Sequence, residues 1–407
     1  MDDPSFQKAA EFIASHEGNV PRSRGSEGLH DAPVACSNCF VNQGLRLDAE
    51  LGGVEEDTVC PNCGSQNGRK LSEHMLETLA HRFFVRGTFH QCDYGAAPVI
   101  QFNAQRKSDI SVPNWLDKDV AIFEKLLGVG FFYYGPRLWM VGENEPLEAL
   151  QDRATRKAIV ERILAEYPST TIDRDQRLYR LRTNPETPAD ISQYDTPPVK
   201  FLGGGRFDSE DLPIMYASQD LEVCIHECRV TAEDNLFVAT LAPQRELKFL
   251  DLTALLAKED ETEFESLDMA VHMLFLAGRH SYEIARDIGA AARSAGYDGL
   301  VYPSYFSLLR TGGMPFETIY GISHRQVPAF SDRERSKIVP NLAIFGRPIA
   351  DGLVQVKCVN KLMLERVAYQ VYFGPVGYGE PSAGDSIPAS PQGRLTRLIS
   401  WLARKWR

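Results

Sequence analysis

Apolar residues recur at helical spacing in the first half of the chain. The spacing begins after Ser72, a typical helix N-cap residue, returns over 115–127, and continues over 149–167. The intervening aromatic segment 131–134 has no basic residues interleaved with it, so we interpret it as core rather than as a surface for stacking bases. The pattern predicts a mainly helical domain over residues 69–170.

The periodicity changes in the second half, where short apolar runs alternate with amphipathic segments. The runs predict strands at 176–181, 212–217, 236–241, 248–251 and 300–302. The amphipathic segments predict helices at 219–230, 263–277 and 281–294. Further strands at 337–339, 342–345, 354–356 and 369–372 are expected to complete a sheet. This mixture predicts an α+β domain over residues 171–372.

Both ends of the chain differ in composition from these regions. Residues 1–34 combine a short helical pattern with a flexible connector, and residues 373–393 of the C-terminal region 373–407 have the composition of a linker. Residues 394–407 contain basic but no acidic side chains, and Leu395, Leu398, Ile399, Leu402 and Trp406 fall at i, i+3, i+4, i+7 and i+11. The pattern predicts a basic amphipathic helix. Such a helix would dock on its own protein or contact an anionic membrane surface, an acidic partner or nucleic acid.

The composition limits the class of protein. A chain of 407 residues is too long for one typical domain, and 43% hydrophobic residues suffice for sizeable cores. The net charge of −11 argues against a whole surface that binds nucleic acid. The sequence has no run of about eighteen apolar residues and begins with an acidic segment, so neither a spanning helix nor a secretory signal is expected. We therefore expect a cytoplasmic protein.

Four of the eight cysteines follow the spacing of a zinc ribbon, with two CxxC pairs separated by twenty residues. They are Cys36, Cys39, Cys60 and Cys63. In a reducing compartment this spacing predicts one structural zinc ion in a ribbon over residues 35–68, because four thiolates leave no open coordination position. The alternative is two redox pairs, which would require a βαβ setting that the sequence does not show.

The other cysteines are scattered along the chain. Cys224 and Cys228 lie four positions apart on one face of a predicted helix, whereas Cys92 and Cys358 have no such neighbour. We interpret the pair as core packing.

A short stretch carries most of the candidate chemistry. Gly203, Gly204 and Gly205 precede Arg206, and Tyr216 and Glu227 follow within about two dozen residues. Glycine allows backbone to approach a phosphate, arginine matches phosphate oxygens, and a carboxylate stabilises positive charge that develops on a ribose. The alternatives are an ordinary turn, a surface ion pair, a core tyrosine and a solvated glutamate.

The order of these residues resembles the RES domain, a family of bacterial toxins named for an Arg, a Glu and a Ser. The resemblance begins at Tyr179-Arg180-Leu181-Arg182 and continues through Gly-Gly-Gly-Arg-Phe, Met-Tyr-Ala-Ser and the helix with His226-Glu227, over roughly residues 175–330. The serine is assigned to Ser304 in the sequence Tyr-Pro-Ser, with Ser307 as the second choice.

The resemblance implies an ADP-ribosyltransferase-like fold that consumes NAD. Members of the family break the nicotinamide–ribose bond and deplete NAD, or transfer ADP-ribose to an acceptor. A neighbouring antitoxin with a helix-turn-helix domain usually neutralises them. Long members carry an extra N-terminal helical region that is sometimes assigned as HEPN-like. The Arg and His nuclease signature of that class is not convincingly present here, so no RNase activity is inferred.

The resemblance also implies roles for individual residues. The pyrophosphate of NAD is expected against Arg206 and the three glycines, with help from Arg180. Tyr216 packs on the nicotinamide or its ribose, Glu227 stabilises the oxocarbenium-like transition state, and Ser304 orders the ribose or Glu227. The acceptor is water, phosphate or a protein side chain.

Two other classes of function remain open from the sequence. One is an ADP-ribosyltransferase that acts on a protein or nucleic acid selected by the zinc ribbon. The other is a non-enzymatic binding module in which the ribbon and the tail dominate.

Overall fold

The computed structural model describes residues 32–135, 142–258, 260–319, 322–365 and 370–378, which form two compact units. The smaller unit comprises the described residues up to Phe89, residues 98–135 and residues 371–378. The larger unit comprises residues 90–97 and the described residues from 142 to 370. The helical pattern predicted near the N-terminus and the basic tail 394–407 lie outside the described residues.

The smaller unit holds the cysteine-rich segment and two of the predicted helical stretches. Its elements are β1 (Ala35–Cys36), α1 (Gln43–Gly52), β2 (Lys70–Leu71), α2 (Glu73–Ala80), β5 (Ile100–Asn103), α3 (Asn114–Leu127) and β6 (Gly130–Tyr133). A hairpin of β3 (Phe89–Cys92) and β4 (Gly95–Pro98) lies at its boundary. The Ser72 hydroxyl accepts a hydrogen bond from the N–H of Met75, so Ser72 is the N-cap of α2, as its position predicted.

Aromatic side chains form the centre of the smaller unit. Phe84 packs against Phe123 and Phe131, with ring centroids 5.7 and 4.3 Å away. Phe131 is fully buried, which confirms that the aromatic segment 131–134 contributes to a core. Residues 371–378 pack on this unit, where Phe373 donates its N–H to Asp48 Oδ2 at 3.2 Å. The predicted linker therefore begins with residues that are docked.

The larger unit has the predicted mixture of helices and strands. Its helices are α4 (Glu145–Gln151), α5 (Arg156–Glu166), α6 (Leu221–Glu227), α7 (Leu267–Leu276), α8 (Tyr282–Ser294), α9 (Ser307–Thr311) and α10 (Ser331–Ser336). Its strands are β7 (Ser169–Ile172), β8 (Leu178–Thr183), β9 (Ile214–Ala217), β10 (Leu236–Pro243), β11 (Leu247–Asp251), β12 (Gly299–Pro303), β13 (Thr318–Ile319), β14 (Ile322–Ser323), β15 (Pro340–Phe345) and β16 (Val354–Leu362). The α+β prediction is confirmed.

Two sheets of the larger unit face each other. One has five strands in the order β7-β11-β12-β15-β9, and the other has three in the order β16-β10-β8. Only β11 and β12 pair in parallel; the other pairs within these two sheets are antiparallel. Consecutive residues of β12 point to opposite sides of the sheet and belong to different hydrophobic cores. Val301 packs between the two sheets, and Leu300 packs against the helices.

Three sequence predictions differ from the structure. The pattern over 149–167 is two helices, because a turn at Asp152, whose Oδ1 accepts the N–H of Ala154, interrupts it. Both helices belong to the core of the larger unit, so the predicted helical domain 69–170 is divided between the two units. Residues 337–339 and 370–372 form no strand. None of the described helices is long and apolar enough to cross a membrane.

Candidate active site

The larger unit contains a cavity of about 550 Å³, a volume typical of sites for small molecules and cofactors. Strands β8 and β9, helix α6, the segment between α7 and α8, and the ends of β12 and β15 contribute to its wall. The polar residues of the wall include Arg180, Arg182, Arg206, Tyr216, Glu227, Tyr302 and Asn341.

Glu227 is the last residue of α6, and its carboxylate is fixed by two side chains. Its Oε1 accepts hydrogen bonds from Ser304 Oγ at 2.6 Å and from Asn341 Nδ2 at 2.7 Å. Its other oxygen, Oε2, accepts no hydrogen bond from any described residue. One oxygen therefore orients the carboxylate, and the other is open to a ligand in the cavity.

The serine that contacts Glu227 is Ser304, which follows β12. Its Oγ also accepts the backbone N–H of Phe306 at 3.1 Å, so the hydroxyl proton is directed to Glu227. The side chain of Ser307 instead bonds the backbone of Val339 at 2.9 and 3.1 Å. The structure thus favours the first choice of serine over the second.

Two arginines of β8 bring positive charge to the cavity without an acidic partner. Arg180 donates to the carbonyl oxygens of Tyr216 and Asp195, and Arg182 donates to those of Gln193 and Asp195. Within the described part of the chain, neither forms an ion pair with a carboxylate.

The charge on these two arginines is therefore poorly compensated. Arg180 is only 5% exposed, and its Nε–H has no hydrogen-bond partner among the described residues. Burial lowers the pKa of both guanidinium groups, and the charge of Arg182 lowers the pKa of Arg180 further. An anion bound beside them would relieve this cost.

Arg206 lines the cavity but is held by the end of a helix. Its guanidinium donates to the carbonyl oxygens of Leu274, Phe275 and Ala277 at 3.0, 3.4 and 3.1 Å. These are carbonyls at the C-terminus of α7, which lack partners within the helix and attract a cation. The guanidinium also lies 5.1 Å from the ring centre of Tyr282. At most the remaining N–H groups of Arg206 are free for a ligand.

The glycine turn before Arg206 is filled by groups of the chain itself. The N–H of Gly203 donates to Asp208 Oδ2 at 2.6 Å. Arg286 Nη2 donates to the carbonyl oxygens of Gly203 and Gly205 at 2.7 and 3.1 Å. Gly205 lines the cavity, whereas Gly203 and Gly204 do not. The geometry offers no support for a phosphate contact by these two residues.

Gly205 is required for a close approach of a different kind. A Cβ at this position would lie 2.0 Å from Asp208 Oδ1 and 2.7 Å from the hydroxyl of Tyr216. That hydroxyl donates to Asp208 at 3.1 Å and accepts the N–H of Phe207 at 2.9 Å. Tyr216 also lines the cavity. The turn therefore positions Tyr216, whose pKa is raised by burial and by the charge of Asp208.

Helix α6 also places sulfur at the cavity. Cys224 is buried and donates to the carbonyl oxygen of Tyr179 at 3.4 Å, in agreement with its predicted packing role. Cys228 is exposed at the cavity wall, so the prediction that it packs in a core is wrong. Helical spacing placed both thiols on one face of the helix, but it could not show which part of that face is buried and which part borders the cavity.

The four cysteines of the predicted ribbon come together in the smaller unit. Their sulfur atoms lie within 4.8 Å of one another, and the shortest pairs are Cys36–Cys63 at 3.5 Å and Cys39–Cys60 at 3.6 Å. Four sulfurs around a zinc ion at about 2.3 Å would be about 3.8 Å apart, which this cluster fits. None of the four forms a disulfide.

A second group supports the four-cysteine cluster. Asn62 Nδ2 donates to Cys39 Sγ at 3.4 Å, and Asn62 Oδ1 accepts from Lys125 Nζ at 3.0 Å. Such partners around a ligand fix its orientation.

Comparison with known proteins matches one segment of the larger unit to a family. Residues 177–314 match the family model of the RES domain. The chain contains a RES domain. This segment runs from just before Arg180 past Ser304 and includes Arg206, Tyr216 and Glu227, but ends before Asn341.

Other comparisons add little. The chain is similar to a chain in the crystal structure of the M. tuberculosis MbcT–MbcA toxin-antitoxin complex, with 16% identity over 55% of this chain and 94% of that chain. The TM-score is 0.29, so this likeness carries no argument. No curated protein matches the sequence.

The site residues expected from the sequence divide into two groups. Glu227, Ser304, Tyr216, Arg206 and Arg180 surround one cavity or contact its wall residues, whereas Gly203 and Gly204 lie outside it. Three residues of the cavity wall were not predicted from the sequence: Asn341, Tyr302 and Arg182. Arg182 had a signal, since residues two apart in a strand point to the same side. Asn341 had none, because a polar residue within an apolar strand does not reveal its partner.

Proposed function

We propose that this protein is an NAD-consuming enzyme of the toxin type, which breaks the bond between nicotinamide and ribose. The observation that carries the proposal is the Glu227 carboxylate, held through one oxygen by Ser304 and Asn341 on the wall of a cavity that also contains unpaired arginine charge. The RES domain supports the same assignment.

The arginines of β8 are the best candidates for the pyrophosphate of NAD. Arg180 and Arg182 bring unpaired charge to the cavity, and Arg180 has a free buried N–H. Arg206, from the segment between β8 and β9, adds further charge. It does so through those of its N–H groups that are not bonded to the carbonyl oxygens at the end of helix α7. The ring of Tyr216 provides a flat surface for the nicotinamide or its ribose.

Glu227 acts on the ribose in this scheme. As the bond between the ribose carbon and the nicotinamide nitrogen breaks, its electron pair leaves with nicotinamide and the ribose carbon becomes positive. Oε2 of Glu227 lies free to stabilise that charge, since Oε1 is engaged by Ser304 and Asn341. The acceptor then adds through oxygen and releases its proton.

Two further partners belong to the proposal. The four-cysteine cluster holds one structural zinc ion, because four thiolates at tetrahedral separation leave no open position for chemistry. A protein antitoxin neutralises the activity in the cytoplasm, as the RES domain implies.

Incubating the purified full chain with NAD tests the reaction. We expect release of nicotinamide, measured by mass spectrometry. Free ADP-ribose identifies water as the acceptor, phosphorylated ADP-ribose identifies phosphate, and a mass gain on protein identifies a transferase. If NAD stays intact and none of these three products forms, the proposal is contradicted.

A matched pair of variants assigns the reaction to the cavity. Glu227→Gln keeps the shape of the side chain but removes its charge, so we expect turnover to fall on the order of 10²–10³-fold while NAD still binds. Glu222→Gln is the control, because Glu222 lies on the same helix and, among the described residues, forms an ion pair only with the exposed Arg310, at 2.8 Å. Equal rates for the two variants would remove Glu227 from the mechanism.

A further inference from the structure

The smaller unit exposes apolar side chains along helix α1 and the segment that follows it. Leu47 and Leu51 lie four residues apart on the helix and are 37% and 76% exposed. Val54 and Val59 continue the exposed series, the latter at 56%. Single exposed apolar residues are ordinary, whereas four of them within thirteen positions of one small unit are the kind of exposure that a partner covers.

Acidic side chains accompany this apolar series. Glu50, Glu55, Glu56 and Asp57 lie among the same residues, and the last three are exposed. Glu50 and Glu55 pair with arginines only at 3.6 Å across exposed side chains, which is a weak interaction that a second cation can replace. We call residues 47–59 the acidic apolar face. Its charge is unfavourable for nucleic acid and for an anionic membrane, and favourable for a basic amphipathic helix.

We propose that the acidic apolar face binds residues 394–407 of the same chain. That segment carries the complementary pattern, with five basic and no acidic residues and apolar residues at helical spacing. The other segment with a short helical pattern, residues 1–17, contains Asp2, Asp3, Glu11 and Glu17 against Lys8, so its charge resembles that of the face. Charge therefore selects the basic segment over the other one.

The place where the chain leaves the smaller unit supports binding within one molecule. Tyr378 packs against the hydrophobic core of this unit, and Phe373 is bonded to Asp48. Fifteen residues separate Tyr378 from Arg394. They span at most about 50 Å when extended and about 20 Å on average as a flexible chain. A linker of that length keeps the segment near the face at an effective concentration on the order of millimolar.

Hydrogen exchange of the full chain, followed by mass spectrometry, tests this binding. We expect slow exchange over 395–406 at about 50 mM salt, unchanged on tenfold dilution, and faster exchange at about 500 mM salt. The exposed substitution Leu51→Asp should accelerate exchange of 395–406 at least about tenfold, since it places a charge where a leucine would be buried. The pair Glu56→Lys and Asp57→Lys should have the same direction of effect.

The control is Leu309→Asp, an equally exposed leucine on α9 of the larger unit, which should leave exchange of 395–406 unchanged. Melting curves of all variants report whether the fold is intact. Zero-length cross-linking provides a second measurement and should join Lys405 to Glu55, Glu56 or Asp57. The inference is overturned if 395–406 exchanges rapidly in the unaltered chain, if Leu51→Asp has no effect, if protection depends on protein concentration, or if it develops only with anionic vesicles.

Discussion

The four-cysteine cluster and the cavity of the larger unit are two ways of placing reactive side chains. In the cluster, four sulfur atoms lie within 4.8 Å of one another and point at one position. In the cavity, charged groups surround a volume of about 550 Å³ and leave specific atoms without protein partners. In the roles proposed here, a metal ion completes the first arrangement and a substrate completes the second.

This difference has an energetic side. A closed metal site converts binding energy into folding energy, because its ligands do not come together in the unfolded chain. An open cavity does the reverse, because buried cations such as Arg180 cost stability until an anion compensates them. We therefore expect changes in the cluster to alter stability, and changes in the cavity to alter binding and rate.

Loss of the metal is the change with the largest expected effect. Cys60→Ser removes a buried ligand, and zinc bound per chain should fall from one to none, because structural zinc is bound with about 10–16 kcal/mol in small domains. Hydrogen exchange should show that residues 35–70 lose protection, while residues of the larger unit keep theirs. Elemental analysis measures the zinc directly.

Cys358→Ser is the control, because this thiol is exposed and lies in β16, away from the cluster in the sequence. A chain purified without chelator that contains no zinc would refute the metal assignment. A uniform loss of protection across both units would break the comparison, since it would make the cluster a support of the whole chain.

Removing charge from the cavity should have the next largest effect. Arg182→Gln deletes a charged donor, so the KM for NAD should rise about 10- to 100-fold with little change in kcat. Inhibition by ADP-ribose should weaken to the same extent, whereas inhibition by nicotinamide should not change. Steady-state kinetics with both inhibitors measure the split.

Arg177→Gln is the matched control. Arg177 immediately precedes β8 and is exposed, and in the described part of the chain its side chain donates hydrogen bonds only to backbone oxygens of residues 174–176. If both variants have the KM of the unaltered protein, the pyrophosphate lies elsewhere, and Arg206 becomes the first candidate.

The two sites also differ in how far the sequence predicts them. All four ligands of the cluster fall within residues 36–63, and their spacing alone implies that one ion can reach them. The cavity draws Arg180 from β8 and Asn341 from β15, which are adjacent only after the sheets form. The resemblance identified Glu227 and Ser304, but nothing in the sequence indicated Asn341, the second donor that orients the carboxylate.

The fold shows the same limit. Most strands and helices of the larger unit were predicted to within a few residues, because each has its own periodicity. The division of the chain into two units was not predicted, because it depends on which hydrophobic core each helix packs against. The apolar faces of α4 and α5 suit either partner, and they pack with α7 and α8 in the larger unit. The three-glycine turn illustrates a related failure, since its backbone groups are bonded to Asp208 and Arg286.

Asn341→Ala sharpens the comparison within the cavity. It removes one of the two donors to Glu227 Oε1, so the carboxylate loses part of its orientation. We expect kcat to fall at least about tenfold with the KM for NAD unchanged, because a hydrogen bond to a charged carboxylate contributes on the order of 1.5–3 kcal/mol. Combining it with Ser304→Ala should reduce kcat by more than the product of the single effects. A rise in KM without loss of kcat would instead identify Asn341 as a substrate contact.

Tyr216→Phe should have the smallest effect on activity. The hydroxyl of Tyr216 is hydrogen-bonded to Asp208 and to the N–H of Phe207, and Tyr216 is one of the residues that line the cavity. Removing only the hydroxyl should lower the free energy of unfolding by about 1–3 kcal/mol, since it leaves buried groups unpaired, and should change kcat/KM by less than about threefold. Tyr216→Ala, which also removes the ring, should lower kcat/KM much further. Denaturant titration and steady-state kinetics on the same preparations separate the two contributions. If Tyr216→Phe lost activity as severely as Tyr216→Ala, the hydroxyl would belong to the chemistry, and the turn that binds it would be part of the active site rather than its support.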